Sequence, residues 1–271
     1  MSVATLESAP PMDPARLHPK EHGAYAILGM PLLAALLIGG VTAVGVLTIL
    51  AAVAGFLANE PLMVAWGRRG QRARSATPTA TRVLVTLLLI AGVSGSLALW
   101  LGTPGVQTAL LGCAVFAALG FGLSAGGWQR TLTAQLVGIV GLTLPSVVVL
   151  LAGGIELRLA LALSSAWMIG RVATTTAVRS VVARSKASLQ RRVPFINDVI
   201  LLLVASAAAI GMSTGIGEWI TVSPLLLAAV ALRLWPPAMK DIRNLGWRLV
   251  AVNVVSCVWM VAWYAAPFTA M

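Results

Sequence analysis

Charge is scarce in this sequence. Only 10% of its 271 residues are charged and only eight are Asp or Glu, against about 25% charged in an ordinary soluble domain. The eight acids are scattered, so the chain offers no paired carboxylates of the kind that share acid–base work. Cysteine is nearly absent. Cys113 and Cys257 each sit inside an apolar run, which excludes a disulfide framework and leaves no zinc or redox spacing. There are two histidines, His18 and His22, and no His/Cys/Asp cluster at metal-ligand spacing. Also missing are a phosphate-cradling Walker loop, a dinucleotide glycine fingerprint, His-Glu-x-x-His and the Gly-x-Ser-x-Gly elbow. No cofactor is expected.

Apolar residues dominate instead. They make up 59% of the chain, and the mean hydropathy is +0.93. In water such a chain would expose large apolar patches and aggregate, whereas in a bilayer the composition is ordinary. A hydrocarbon core needs about 20 apolar residues per helix. Nine segments qualify: 23–40, 43–66, 82–101, 105–125, 131–152, 157–179, 196–214, 219–235 and 247–267. The expected fold is an all-α polytopic membrane bundle over 20–271, preceded by a flexible arm over 1–19 with no cleavable signal sequence. Pro31, Pro61 and Pro145 lie within or near spans and are expected to kink them.

The formal net charge is +11. On a soluble protein that would point to nucleic acid. Here the basic residues lie between apolar runs, so they report topology, and no nucleic-acid partner is expected. With the N-terminus inside, eighteen of the nineteen Lys and Arg residues fall on the cytoplasmic side, and only Arg158 falls outside. That bias supports nine spans in a bacterial cytoplasmic (inner) membrane, with the arginine-rich loops 67–81, 180–195 and 236–246 inside and the C-terminus outside.

Three segments carry polar groups where an apolar span meets these loops. In Asn59-Glu60-Pro61, Glu60 precedes the end of a span, and a carboxylate at that depth marks a functional candidate. Pro61 removes a backbone donor, so the carbonyl of Leu57 loses its helical partner. Glu60 serves either as a catalytic group beside Asn59 or as a clasp to an arginine. The second segment, Arg171 to Arg179, places Arg171, Thr175 and Arg179 one turn apart as a polar stripe. Guanidiniums and hydroxyls at a span end suit a phosphate or carboxylate, and the plainer alternative is snorkelling arginine. The third is Lys20-Glu21-His22-Gly23. Histidine has a reference pKa near neutrality, so His22 could carry a proton, or it is simply an interfacial residue. Arg68 and Arg72 complete the candidate binding set. The expected geometry joins His22, Asn59, Glu60, Arg68 and Arg171, with Glu60 paired to Arg171 or another nearby arginine.

Pro19-Lys20-Glu21-His22-Gly23-Ala24-Tyr25, followed by Glu60-Pro61 and Gly67-Arg68-Arg69-Gly70, resembles the YwiC-like family of bacterial membrane proteins, and the resemblance covers most of the chain. More distantly, nine spans with polar ends on the second and sixth resemble the UbiA-type intramembrane prenyltransferases. Those enzymes hold magnesium and a polyprenyl diphosphate on two Asp-rich motifs. Laid on the first motif, Asn59 and Glu60 match, but Met63 and Gly67 stand where aspartates belong. In the second region Arg171, Arg179 and Arg184 replace acids. Arginine binds diphosphate directly, where aspartate needs a divalent cation.

What the resemblance implies is a lipid- or isoprenoid-type transferase without the usual metal motifs, or a derivative that binds an amphiphile with an anionic head. Membrane lipids and an anionic small molecule are the expected partners. A small permease for an organic anion and a structural subunit of a membrane complex are the other readings. The sequence shows no convincing internal repeat of the kind many transporters carry.

Overall fold

A computed structural model of the protein describes residues 17, 22–129, 131–185, 192–213, 217–237 and 242–265. Among these residues the secondary structure is helical throughout. The order is α1 (His22–Gly39), α2 (Ala43–Ala65), α3 (Gln71–Ala76), α4 (Ala80–Leu101), α5 (Pro104–Gly126), α6 (Leu132–Thr143), α7 (Pro145–Ala152), α8 (Leu157–Ser185), α9 (Arg192–Ser213), a 3-10 turn (Gly217–Val222), α10 (Ser223–Leu234) and α11 (Ile242–Ala265). Local chemistry sets several of the starts. The Thr42 hydroxyl accepts from the Gly45 amide at 3.0 Å, and Thr131 accepts from Ala134 at 3.2 Å. Such caps satisfy amides that the first turn leaves free. Pro104 and Pro145 open α5 and α7, where a missing N–H costs nothing.

Among the described residues, each of the nine expected spans falls mainly on helix. The fifth is divided: α6 ends at Thr143 and α7 begins at Pro145. By contrast, α1 and α2 run on through Pro31 and Pro61. Five stretches are long and apolar enough to cross a membrane: Ala43–Ala65, Ala80–Leu101, Pro104–Gly126, Leu132–Ala152 and Asn244–Tyr264. Tyr25–Gly39, Phe195–Gly211 and Ile220–Leu234 are shorter apolar helices. α8 has the length but carries Arg158, Arg171, Arg179 and three consecutive threonines. The described residues form an all-helical fold, and its several apolar helices are those of a multi-pass membrane protein.

Two loop expectations change. The stretch 67–81 contains the short helix α3, and 180–195 is helical at both ends, because α8 runs to Ser185 and α9 starts at Arg192. Between Leu157 and Ser185 there is no proline and a single glycine, so nothing stops the helix where its apolar run ends.

The core lies between α1, α7, α8, α10 and α11. Leu28, Leu32, Ala35, Val149, Leu150, Leu163, Trp167, Leu225 and Met260 are buried there together. Small residues let the helices approach. A side chain on Gly170 would meet Leu225 Cδ1 at 2.6 Å, so α8 and α10 cross at this point. α2 packs mainly on α4, and it also touches α7 and α5. The outer faces of α4 and α5 are apolar and bare: Leu89, Val93, Trp100, Leu111 and Val115 are all exposed. In water such faces would be untenable, and in lipid they need no cover.

Contacts between helix ends show which ends lie together. Arg68, just past α2, has its guanidinium beside Gly127 at the end of α5. Arg179 in the last third of α8 reaches Gln135 at the start of α6. Arg233 at the end of α10 reaches Asp198 near the start of α9. These pairings gather the arginine-bearing ends at one end of the bundle, while Gly39 and Gly153 bring α1 and α7 together at the other.

Candidate functional site

The Asn59-Glu60-Pro61 segment lies in the last two turns of α2. Just beyond, Gly67 (φ +73°) and Gly70 (φ +95°) adopt backbone conformations that a side chain disfavours. They turn the chain back on itself, with the Arg68 and Arg69 amides both donating to the Met63 carbonyl. Arg69 is thereby folded over Glu60. Its Nη2 donates to Oε1 at 2.5 Å and its Nε to Oε2 at 3.2 Å. This two-pronged geometry is the one that guanidinium and carboxylate favour. The Gly-Arg-Arg-Gly run thus places one arginine on the carboxylate and leaves the other pointing to α5.

Glu60 therefore pairs with a nearby arginine, and that arginine is Arg69 rather than Arg171. The Glu60 side chain is 14% exposed and that of Arg69 is 42% exposed. Asn59 is half-buried, and Arg68 and Arg72 are exposed. His22 opens α1, but its side chain lies outside the described residues, as does all of Lys20.

A second centre forms on α8. Arg171 is only 3% exposed. Its Nη2 donates to the Ala26 carbonyl of α1 at 2.7 Å, and its Cζ lies 5.4 Å from the centre of the Trp167 ring. Its Nε is buried with no partner. One carbonyl and one ring face offset only part of the desolvation of a guanidinium. Two turns on, Arg179 Nη1 donates to Gln135 Oε1 at 2.8 Å, and its Nε is likewise buried without a partner. Among the described residues no carboxylate pairs with either guanidinium. Thr175 lies half-buried between them. Its neighbours Thr174 and Thr176 use their hydroxyls on carbonyls of their own helix.

The expected single site thus resolves into two centres, the Glu60–Arg69 clasp with its loop and the Arg171–Arg179 line. Sequence reasoning missed a third polar feature. Asp198 on α9 accepts from Arg233 Nε at 2.6 Å and from Nη2 at 2.7 Å. Opposite charges near the adjoining ends of successive antiparallel spans were the available signal. It also missed two buried amides, Asn197 and Asn253, whose Nδ2 and Oδ1 respectively lack partners.

The stretch that carries the clasp is the one that known proteins share. Residues 18–150 match the family described as YwiC-like protein. This part of the chain is similar to that family. The YwiC-like stretch runs from just before α1 into α7, and so contains Glu60, both turn glycines and the loop arginines. It is shorter than the resemblance expected from the motifs, and Arg171, Thr175 and Arg179 lie beyond it. No curated protein and no solved structure matches the chain.

Proposed function

We propose that the protein binds the anionic head of an amphiphile at the guanidinium line of α8, as a UbiA-like lipid- or isoprenoid-type transferase or a binding derivative of one. The observation that supports this reading is Arg171: a buried cation with no carboxylate partner among the described residues and an unpartnered Nε. A cation left so in a membrane protein is costly, and a bound phosphate or carboxylate would supply both the counter-charge and the missing acceptor. Thr175 and Arg179 extend the line toward the end of α8, while the YwiC-like clasp holds Glu60 away from the anion.

In this reading all nine helical spans cross the bacterial inner membrane and the arginine-rich end faces the cytoplasm. The partition of eighteen basic residues to one side supports the orientation. Mass spectrometry of lipids and metabolites that copurify with the protein tests the function. An anionic amphiphile retained by the native chain and lost from Arg171→Met, with Arg171→Lys retaining some of it, is the expected result. Retention unchanged in a folded Arg171→Met protein overturns the proposal. A small water-soluble organic anion in place of an amphiphile would favour the permease instead.

A further inference from the structure

A groove lies between α2, α4 and α5. Leu62 of α2 and Trp66 just past its end, Leu84 and Leu88 of α4, and Phe121, Gly122 and Ala125 of α5 line a space of about 250 Å³. Every lining residue is apolar. The volume falls short of the roughly 300 Å³ at which pockets for whole small molecules begin. Each helix contributes about one turn to the wall, so the groove is roughly 6 Å long. It has room for part of a chain and not for a separate ligand.

Its mouth is basic. Gly127 ends α5 two residues after Ala125, and the Arg68 guanidinium lies 3.7 Å from where a Cβ on Gly127 would stand. Arg72 and Arg74 of α3 and Arg82 in the first turn of α4 are exposed as well, and the single acid nearby among the described residues, Glu60, is already engaged by Arg69. Trp66 and Trp128, 64% and 63% exposed, flank the same place, and exposed tryptophans mark the headgroup level of a bilayer. Positive charge thus sits at headgroup level directly above a short apolar slot.

We propose that this groove seats one anionic phospholipid of the adjoining leaflet, with the first segment of an acyl chain between α2, α4 and α5 and the phosphate against Arg68 and its neighbouring arginines. The site is independent of the α8 line. Its occupant comes from the bilayer itself, since the slot is too short and too apolar to hold a soluble anion. Each basic residue near an anionic headgroup contributes about fivefold to binding, so the headgroup preference should be modest and divisible.

The test uses the full-length protein in micelles containing equal palmitoyl-oleoyl phosphatidylglycerol and phosphatidylcholine, with retained lipid counted by native mass spectrometry. Gly122 has open space where a Cβ would go, so Gly122→Leu fills the slot without disturbing a neighbour, and Ala125→Leu is the second variant should the first fail to fold. The expected result is retention of phosphatidylglycerol over phosphatidylcholine. Either filled-groove variant should lose the retained lipid while keeping the native melting temperature. Arg68→Gln should lower the preference about fivefold. No preference between the lipids, or full retention by a folded filled-groove variant, overturns the proposal. So does displacement of the lipid by inorganic phosphate. Neither filled-groove variant should alter the ligand lost from Arg171→Met, which separates failure here from failure of the α8 reading.

Discussion

Replacing Glu60 by Gln and Arg69 by Gln, singly and together, measures the clasp. The magnitude follows from its surroundings. Fully exposed pairs contribute about 0.2–1 kcal/mol, and breaking a buried pair costs about 3–5 kcal/mol. Here the carboxylate is mostly covered and the guanidinium nearly half open, and two hydrogen bonds join them. A coupling of about 1–2 kcal/mol lies between those limits. The single change Glu60→Gln should cost more than Arg69→Gln, because Arg68 and Arg72 stand close enough in sequence to give Glu60 a substitute partner. Among the described residues Arg69 has no second acid nearby. The assay is reversible unfolding in mixed micelles followed by tryptophan fluorescence, run beside a parallel Glu60/Arg171 cycle. That second cycle should show additivity, within about 0.5 kcal/mol, as expected of residues that share no partner. Additive Glu60 and Arg69 effects, or a stronger coupling of Glu60 to Arg171, would refute the geometry of the Gly67–Gly70 turn.

Gly170→Ala sets a methyl group 2.6 Å from Leu225 Cδ1 and 2.8 Å from its Cβ. It should destabilise the bundle by about 1–3 kcal/mol, with Leu225→Ala restoring part of the loss in the same unfolding assay. Reporter fusions at positions 75 and 187 should read as cytoplasmic and one at 271 as external; a cytoplasmic C-terminus would remove the nine-crossing arrangement. Chelation with EDTA should leave retention of the copurifying anion unchanged, because arginines bind an anion without a bridging cation. Loss on chelation and recovery with magnesium would show a metal in the site.

The spans were legible because about 20 apolar residues in a row have few alternatives. The breaks between them followed from Gly102, Thr103 and their like. α3 was not legible, since Gln71–Ala76 is polar and too short for periodicity to show. The continuation of α8 past Arg179 was hidden for the opposite reason: its apolar run stops, but no proline or glycine ends the helix. Glu60 could be marked as costly from its depth alone. Its partner could not be chosen, because the choice between Arg69 and Arg171 rests on two positive φ angles in a loop. That Arg171 would bond a carbonyl of α1 was equally invisible, since Ala26 has no side-chain signal to offer. Asp198 and Arg233 lie 35 positions apart, and it is the packing of both α9 and α10 on α8 that brings them together.

The hydrogen bonds that tie α8 side chains to other helices share one property. Among the described residues, Arg171 reaches Ala26, Arg179 reaches Gln135 and Ser164 meets Ser146. All three partners are upstream in the chain. An arginine at the middle of a helix entering lipid alone costs about 2.5–3.5 kcal/mol, and α8 is the least suited of the long helices to partition unaided. During synthesis, however, α1, α6 and α7 have already left the ribosome when α8 emerges. Its polar groups meet waiting acceptors, and α9 and α10 are added afterwards against a face of small residues. The order of the helices along the chain is thus also a workable order of insertion.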